Sequence, residues 1–166
     1  MRDQYQWYPV YTNPRAEKKA YELLAKKKIE VYLPLKKTLK QWSDRKKWIQ
    51  EPLISSYLFV YITVSEMADV LTTPGISRFI YFSGKVATMP EKQIEQIKRL
   101  LQTDSPFSIT TKQFEKGEQV RVIAGPLQGL TGELIEYQSE KRILLRLGPV
   151  GESLLVKISP DIIDSF

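Results

Sequence analysis

A chain of 166 residues that is 42% apolar can bury one core or two small ones, and is too apolar for a disordered polypeptide. It has no cysteine and no histidine, which removes disulfides, thiolate or imidazole zinc sites and every Ser-His or Cys-His nucleophile pairing. The net charge is +6, no apolar run approaches the roughly 20 residues that cross a bilayer, and no leader pattern opens the chain, so a soluble, cytoplasmic protein with no membrane partner is expected.

The first predicted strand is Trp7 to Tyr11, where alternation sets Trp7 and Tyr11 against Tyr8 and Val10. Asn13 and Pro14 read as a helix start, a cap followed by proline in the first turn. Ala16, Ala20, Leu23 and Leu24 then recur at helical spacing, with Arg15, Lys18, Lys19, Lys26 and Lys27 around the rest of the helix. Val31 to Leu35 is a short strand that Pro34 confines to a sheet edge. Thr38 to Gln50 reads as a hairpin turning at Ser43 and Asp44.

The next strand, Leu53 to Ile62, puts Tyr57, Phe59 and Tyr61 on one face and Leu58, Val60 and Ile62 on the other. Met67, Val70 and Leu71 suggest a short second helix ended by Pro74 and Gly75. In Ile76 to Phe82, alternation sets Phe79 and Tyr81 against Ile80. Thr88 and Glu91 have capping-box spacing with Pro90 in the first turn, and Ile94, Ile97 and Leu101 make a third amphipathic helix. This order predicts an α+β fold, an antiparallel sheet flanked by helices.

Charge locates a boundary. Residues 1–101 carry 18 Lys and Arg against 10 Asp and Glu, net +8, whereas residues 102–166 carry 7 against 9, net −2. Residues 102–113 are rich in Ser and Thr, contain Pro106, and read as a linker. Beyond Phe114, Val120 to Val122, Arg142 to Leu147 and Leu154 to Ile158 are short β-prone runs, which predicts a small β-barrel over 114–166. Its first turn, GPLQGLTG, places Gly125, Gly129 and Gly132 between strands. No helix start follows, so positive φ or a close backbone approach explains these glycines better than a phosphate cradle.

Two readings of the first sheet stay open. Helices covering the aliphatic face would leave the ring-bearing face for a partner, because a large exposed apolar patch is usually an interaction site; alternatively, both faces are internal. The hairpin concentrates Lys36, Lys37, Lys40, Arg45, Lys46 and Lys47 against a single Asp44, with Trp42 and Trp48 between them. Positive charge gathers phosphate, and an indole stacks on an unpaired base for roughly 1–3 kcal/mol. The bland alternative is a solvated hairpin whose tryptophans pack on the domain. No cluster of carboxylates argues for a metal or acid–base site, so no enzyme and no cofactor is expected.

WYPVYTNPRAEKKA, followed by IEVYLPL, EPLISSYLFV, TTPGISRFIYF and FEKGEQVRVIAGPLQGLTGEL, resembles the NusG family of transcription elongation factors across almost the whole chain. The first part resembles an NGN domain and the second a KOW domain, an SH3-like barrel of five strands. SYLFV and the QWSDRKKW hairpin look more like the specialised RfaH and UpxY-type antiterminators than housekeeping NusG.

The resemblance implies a monomeric, non-catalytic antitermination factor. Its aromatic pocket would seat on the clamp helices of the RNA polymerase β′ subunit, and the family positions fall on Tyr11, Tyr57, Phe59, Phe79 and Phe82. Phe82 has the wrong strand parity for that face and needs a strand end or bulge. The hairpin, with Arg15, Lys18 and Lys19, would lie near non-template DNA. The barrel would bind NusE, or in housekeeping NusG the factor Rho, through Leu127, Leu130 and the Gly148 to Gly151 loop, although these residues equally suit barrel core and turn. Unlike RfaH, no helical form of this domain is expected at rest, given its β-branched residues. Ser55 and Ser56 stand where the family usually has Pro-Gly or Pro-Asn, and Ile54 where an aromatic is common. A ribosome- or RNA-associated KOW protein is the alternative of another class, but it leaves the ring face idle.

Overall fold

The computed structural model describes residues 3–166. By its contacts the chain divides into a first unit ending at Glu91 and a second unit over Lys92–Phe166. The strands of the first unit are β1 (Gln6–Thr12), β2 (Glu30–Tyr32), β3 (Leu35–Gln41), β4 (Lys46–Pro52), β5 (Tyr57–Ile62), β6 (Ile76–Phe79), β7 (Tyr81–Phe82) and β8 (Lys85–Val86), with helices α1 (Glu17–Lys26) and α2 (Met67–Leu71) between them.

The main sheet has the order β2-β5-β1-β6 and is antiparallel throughout. β5 is flanked on both sides, so its backbone hydrogen bonds are satisfied within the sheet. β2 takes an edge, as the proline after it predicted. One face of the sheet holds a cluster of Tyr8, Val10, Leu58, Val60 and Ile62 with Ala20 and Leu24 of α1. Burying each such aliphatic side chain favours folding by about 1.5–3 kcal/mol.

Local chemistry corrects three sequence expectations here. Helix α1 starts at Glu17, not at Asn13 and Pro14: Ala16 is the N-cap and makes no side-chain cap bond. Arg15 has φ +64°, a left-handed residue that separates the Pro14 turn from the helix. Before α2, a 3-10 turn over Val64–Glu66 is closed by a Thr63–Glu66 capping box, a start signal the sequence reading passed over. The strand expected over Ile76 to Phe82 is broken into β6 and the separate β7–β8 hairpin. That hairpin turns at Ser83 and Gly84, with φ +51° and +78°, the two successive positive φ values that a tight two-residue turn requires.

The second unit contains helix α3 (Glu91–Gln102, apart from its first residue) and the strands β9 (Phe107–Thr110), β10 (Glu118–Val122), β11 (Thr131–Tyr137), β12 (Glu140–Leu147), β13 (Glu152–Lys157) and β14 (Ile163–Ser165). They form a six-stranded antiparallel sheet in the order β14-β10-β11-β12-β13-β9. Among the described residues this ladder is open, with β14 and β9 at its edges, where five strands and a closed barrel were expected.

Residues 107–110, expected to lie in a linker, pair with β13 from Ser153↔Thr110 to Val156↔Phe107. The strand is too short to show a period, which is why its sequence read as unstructured. Helix α3 is tied to the sheet by polar bonds: Gln93 donates to the Arg146 carbonyl at 2.9 Å, and Gln96 donates to the Thr131 carbonyl at 3.0 Å. Leu100 is buried, whereas Leu101, the residue predicted for that stripe, is only partly so.

The glycine-rich turn behaves as predicted. Gly125 and Gly129 have φ +84° and +92°, and a Cβ on Gly132 would lie 2.5 Å from Ile143. No helix follows. These glycines serve a sharp turn and a close strand crossing.

Candidate functional site

The ring-bearing face is laid out by the β1–β5 register. Tyr11 is opposite Tyr57, Pro9 opposite Phe59, and Trp7 opposite Tyr61. The Tyr11 and Tyr57 rings are 4.5 Å apart, Trp7 and Tyr61 5.2 Å, and Tyr5 adds to the row 5.5 Å from Tyr61. Offset aromatic pairs of this kind are favourable beyond their buried area. Tyr32 on β2 stacks on Phe59.

This face is not an open patch. Phe59 is 0% exposed, Trp7 5% and Tyr57 8%, so the expectation of a wide unoccupied aromatic surface is corrected. The centre of the row is buried, while Tyr11 and Tyr61 are half-buried and Tyr5 is exposed. At the Tyr5 end there is a cleft of about 260 Å³ whose lining includes Trp7, Tyr61, Met89 and Pro90.

Phe79 does not join this face. Between Tyr11 and Thr12 the β1–β6 register shifts, with Tyr11 opposite Arg78 and Thr12 opposite Ile76. The extra residue on β6 is a bulge, which breaks the period-2 assumption behind the prediction. Val10 is opposite Phe79, so Phe79 turns into the aliphatic core, 2% exposed and edge-on to Tyr8 at 5.9 Å. Arg78 takes the ring-face position instead, with its guanidinium 4.7 Å from the Tyr11 ring centroid, a cation–π contact.

Phe82 lies elsewhere again, on the β7–β8 hairpin, where it is 72% exposed and Tyr81 61%. Of the five predicted pocket residues, Tyr11, Tyr57 and Phe59 are therefore together. Sequence reasoning missed Tyr5 and Arg78 as members of the row. A Tyr two residues before Trp7 was a usable period-2 signal for the first; the bulge gave none for the second.

Ser56 precedes β5 with φ +66°, at the position where the resemblance expected glycine or asparagine. Its N–H donates to the Glu17 carboxylate at 2.9 Å, and Glu17 is itself buried. A non-glycine residue in left-handed conformation is strained, and a hydrogen bond to a carboxylate offsets part of that strain.

The basic hairpin forms as predicted. β3 and β4 pair from Leu35↔Pro52 to Gln41↔Lys46, and the Trp42 N–H donates to the Arg45 carbonyl to close the turn. Strand alternation divides its cations between two faces. Lys37 and Lys46 share one with Leu39 and Trp48, while Lys36, Lys40 and Lys47 share the other with Thr38, Ile49 and Glu51. Lys40 and Lys47 oppose each other directly, a repulsive placement, and Lys40 is 3.1 Å from the Glu51 carboxylate.

Trp48 is 65% exposed and Trp42 44%, and the Arg45 guanidinium is 5.6 Å from the Trp42 ring. The tryptophans do not pack away into the domain. Cations beside open indoles make a surface suited to a polyanion with unpaired, stackable bases. At the foot of the hairpin, the Lys18 ammonium of α1 donates to the Gln50 carbonyl at 2.6 Å.

In the second unit, the predicted contact residues Leu127 and Leu130 are 2% and 0% exposed. Of the two readings kept open for them, interior packing is the one that fits. The Gly148 to Gly151 loop is a 3-10 turn ending in a left-handed Gly151, with Val150 turned inward.

The prominent charge feature here is a forked pair. Arg146 donates from Nε to Glu133 Oε2 at 2.6 Å and from a terminal nitrogen to Oε1 at 3.2 Å, and it also reaches the Phe114 carbonyl. The bond from Arg146, with the Gly117 N–H, holds the Glu133 carboxyl below its ordinary range against the opposing effect of burial. Among the described residues no group of three or more acidic, His or Cys side chains could hold a metal, and no helix is long and apolar enough to cross a membrane.

Comparison with known proteins adds the following. A family model described as transcription termination factor nusG matches residues 5–98. The transcription termination/antitermination protein NusG of Rickettsia felis is 25% identical over 166 aligned positions, covering 93% of this chain and 84% of its own. That of Campylobacter jejuni is 26% identical and covers 93% of each. A solved structure of domain interaction in Thermotoga maritima NusG has a TM-score of 0.55 at 20% identity over 98% of both chains, a likeness that bears on the fold alone. These relatives carry the NusG name, and the narrower likeness to RfaH and UpxY-type proteins gains no support from them.

Proposed function

The chain belongs to the NusG family, and from this premise we propose that it is a general NusG-type transcription elongation factor, which binds RNA polymerase and acts on pausing and termination without catalysis. The observation that carries the reading is the family match over residues 5–98. That span contains the ring-bearing sheet, the basic hairpin and α2. The printed names of the relatives supply the activity, termination and antitermination of transcription.

The mechanism is a bias on a two-state equilibrium. A factor that binds the closed, elongating polymerase more tightly than the paused one shifts the balance only by that difference in affinity. A difference of about 1.4 kcal/mol changes the pause equilibrium about tenfold.

The contact with the β′ clamp helices is assigned to the accessible margin of the ring row, Tyr11 with Arg78 beside it, and to the exposed Phe82. The buried Tyr57 and Phe59 hold that surface from within, and Phe79 packs in the core on the opposite face. The hairpin is assigned to non-template DNA, through Lys37, Lys46 and Trp48 on one face and Lys36, Lys40 and Lys47 on the other, with Trp42 and Arg45 at the tip. The second unit is read as a KOW domain, its six-stranded antiparallel sheet standing where the family has an SH3-like barrel, that meets NusE or Rho. Because Leu127 and Leu130 are buried, that contact would use the surrounding turn backbone and its exposed neighbours.

The test is binding and transcription with purified core polymerase. The protein should co-elute with polymerase and alter the lifetime of a defined pause. Failure to do either would overturn the reading.

A further inference from the structure

The two ends of the ring row differ in what covers them. At one end the Arg78 guanidinium stands over Tyr11. At the other, Tyr5 is 55% exposed and Tyr61 half-buried, and among the described residues neither ring has a cation over it. This second end opens on the cleft of about 260 Å³, which Met89, Pro90 and Glu91 also line. β6 pairs with β1 only from Val10 onward. Ahead of that point the Met89 N–H donates to the Trp7 carbonyl at 2.9 Å, so the segment leading to Glu91 is fixed beside the rings by the backbone.

Two carboxylates belong to this end. Glu91 lines the cleft. Glu30 is opposite Tyr61 in the β2–β5 ladder, as Trp7 is in the β1–β5 ladder. Residues directly opposite share a face, with Cβ atoms about 4.5–5.5 Å apart, so Glu30 is on the ring face. Both carboxylates are exposed, and among the described residues neither makes an ion pair. Ring faces carry partial negative charge and attract a cation placed over them. A planar guanidinium stacks on such faces and forks onto carboxylates, which a compact ammonium does less well. Rings flanked by two carboxylates are thus complementary to arginine and repel a phosphate.

We propose that this end of the row docks an arginine side chain of a partner protein, its guanidinium stacked on Tyr5 and Tyr61 in the negative field of Glu30 and Glu91. The site is at the opposite end of the row from Tyr11 and rests on neither the polymerase contact nor the hairpin reading. The competing occupants are a nucleic-acid base, whose phosphates the carboxylates oppose, and a second copy of this chain presenting its own basic hairpin.

The test titrates the full chain with acetyl-Gly-Arg-Gly-amide and follows the Tyr5 and Tyr61 ring signals by NMR, with the citrulline peptide, similar in shape and uncharged, as control. The arginine peptide should shift both ring signals saturably and bind about tenfold more tightly than the citrulline peptide. Tyr5→Ala should weaken arginine binding about fivefold, and Tyr5→Phe, which keeps the ring, should preserve it. The joint change Glu30→Gln and Glu91→Gln should narrow the gap between the peptides to under about threefold, and this variant decides if Tyr5→Ala does not fold. Equal binding of the two peptides, no ring shift with either, or an undiminished gap in the joint variant would overturn the site. Two further results also overturn it: larger ring shifts with a short single-stranded oligonucleotide than with the arginine peptide, which mark a base site, or ring shifts that grow with protein concentration alone, which mark a second copy.

Discussion

Strands β5 and β4 both place aromatic side chains among regularly alternating neighbours, yet Phe59 is 0% exposed and Trp48 65%. The difference lies in what surrounds each strand. β5 is paired on both sides, by β2 and β1, and its ring face is roofed enough to close over Phe59. β4 pairs only with β3 in a two-stranded ribbon, which has no second layer in which to bury an indole. Aromatic content on a strand therefore does not predict an open surface; the strand's neighbours decide. The same contrast holds for charge, since Arg146 is locked in a forked pair while the hairpin lysines face solvent.

The largest effect that can break this comparison is at Phe59. Phe59→Ala should cost about 3–5 kcal/mol in chemical denaturation, as for a core phenylalanine. A loss under about 1 kcal/mol would mean that the ring is not structural, and the original expectation of an open socket would return.

Next in size is the pair in the second unit. Glu133→Ala removes the carboxylate from the Arg146 guanidinium, leaving it only backbone carbonyls, and should cost about 1–3 kcal/mol. Because the folded state holds the Glu133 carboxyl below its ordinary range, its contribution is fully present above that range. It is lost as pH falls through the folded value. Acid titration of stability should therefore be shallower in Glu133→Gln than in the wild type, and identical slopes would show that the pair contributes nothing.

Ser56→Gly relieves a left-handed residue, at φ +66°, and should stabilise the first unit by about 0.5–1 kcal/mol. A destabilised Ser56→Gly would show that the bond from Ser56 to Glu17 depends on the serine backbone being held as it is. At the small end, Trp48→Ala and Lys40→Ala should each change stability by less than about 0.5 kcal/mol. A larger loss from Trp48→Ala would place its indole in packing and remove it from the proposed DNA surface.

Where one local rule sufficed, the sequence was readable. The basic hairpin, the edge position of β2, the short second helix and the glycine turn follow from pairing signals, Pro34, helical spacing and positive φ respectively. Readability failed where two chain segments had to be compared. Nothing in ISRFIYF discloses that β6 carries an extra residue against β1, yet that bulge sends Phe79 into the core and Arg78 to Tyr11. Nor does FSIT announce an edge strand, because its partner β13 is more than forty residues away along the chain. Local signals were also missed: Ser83-Gly84 was enough to predict the β7–β8 turn, and Thr63 to Glu66 enough to predict the capping box. The ring row was legible in content and not in exposure, which depends on packing above the sheet.

The central claim is that this chain acts on transcribing polymerase through its first unit. The direct measurement is the lifetime of a defined pause in a reconstituted elongation complex, with and without the purified protein, across a salt series. The account predicts an altered lifetime, with the effect reduced and its salt dependence flattened by the joint change Lys46→Glu and Lys47→Glu. A lifetime that is the same with and without the protein at every salt concentration would contradict it.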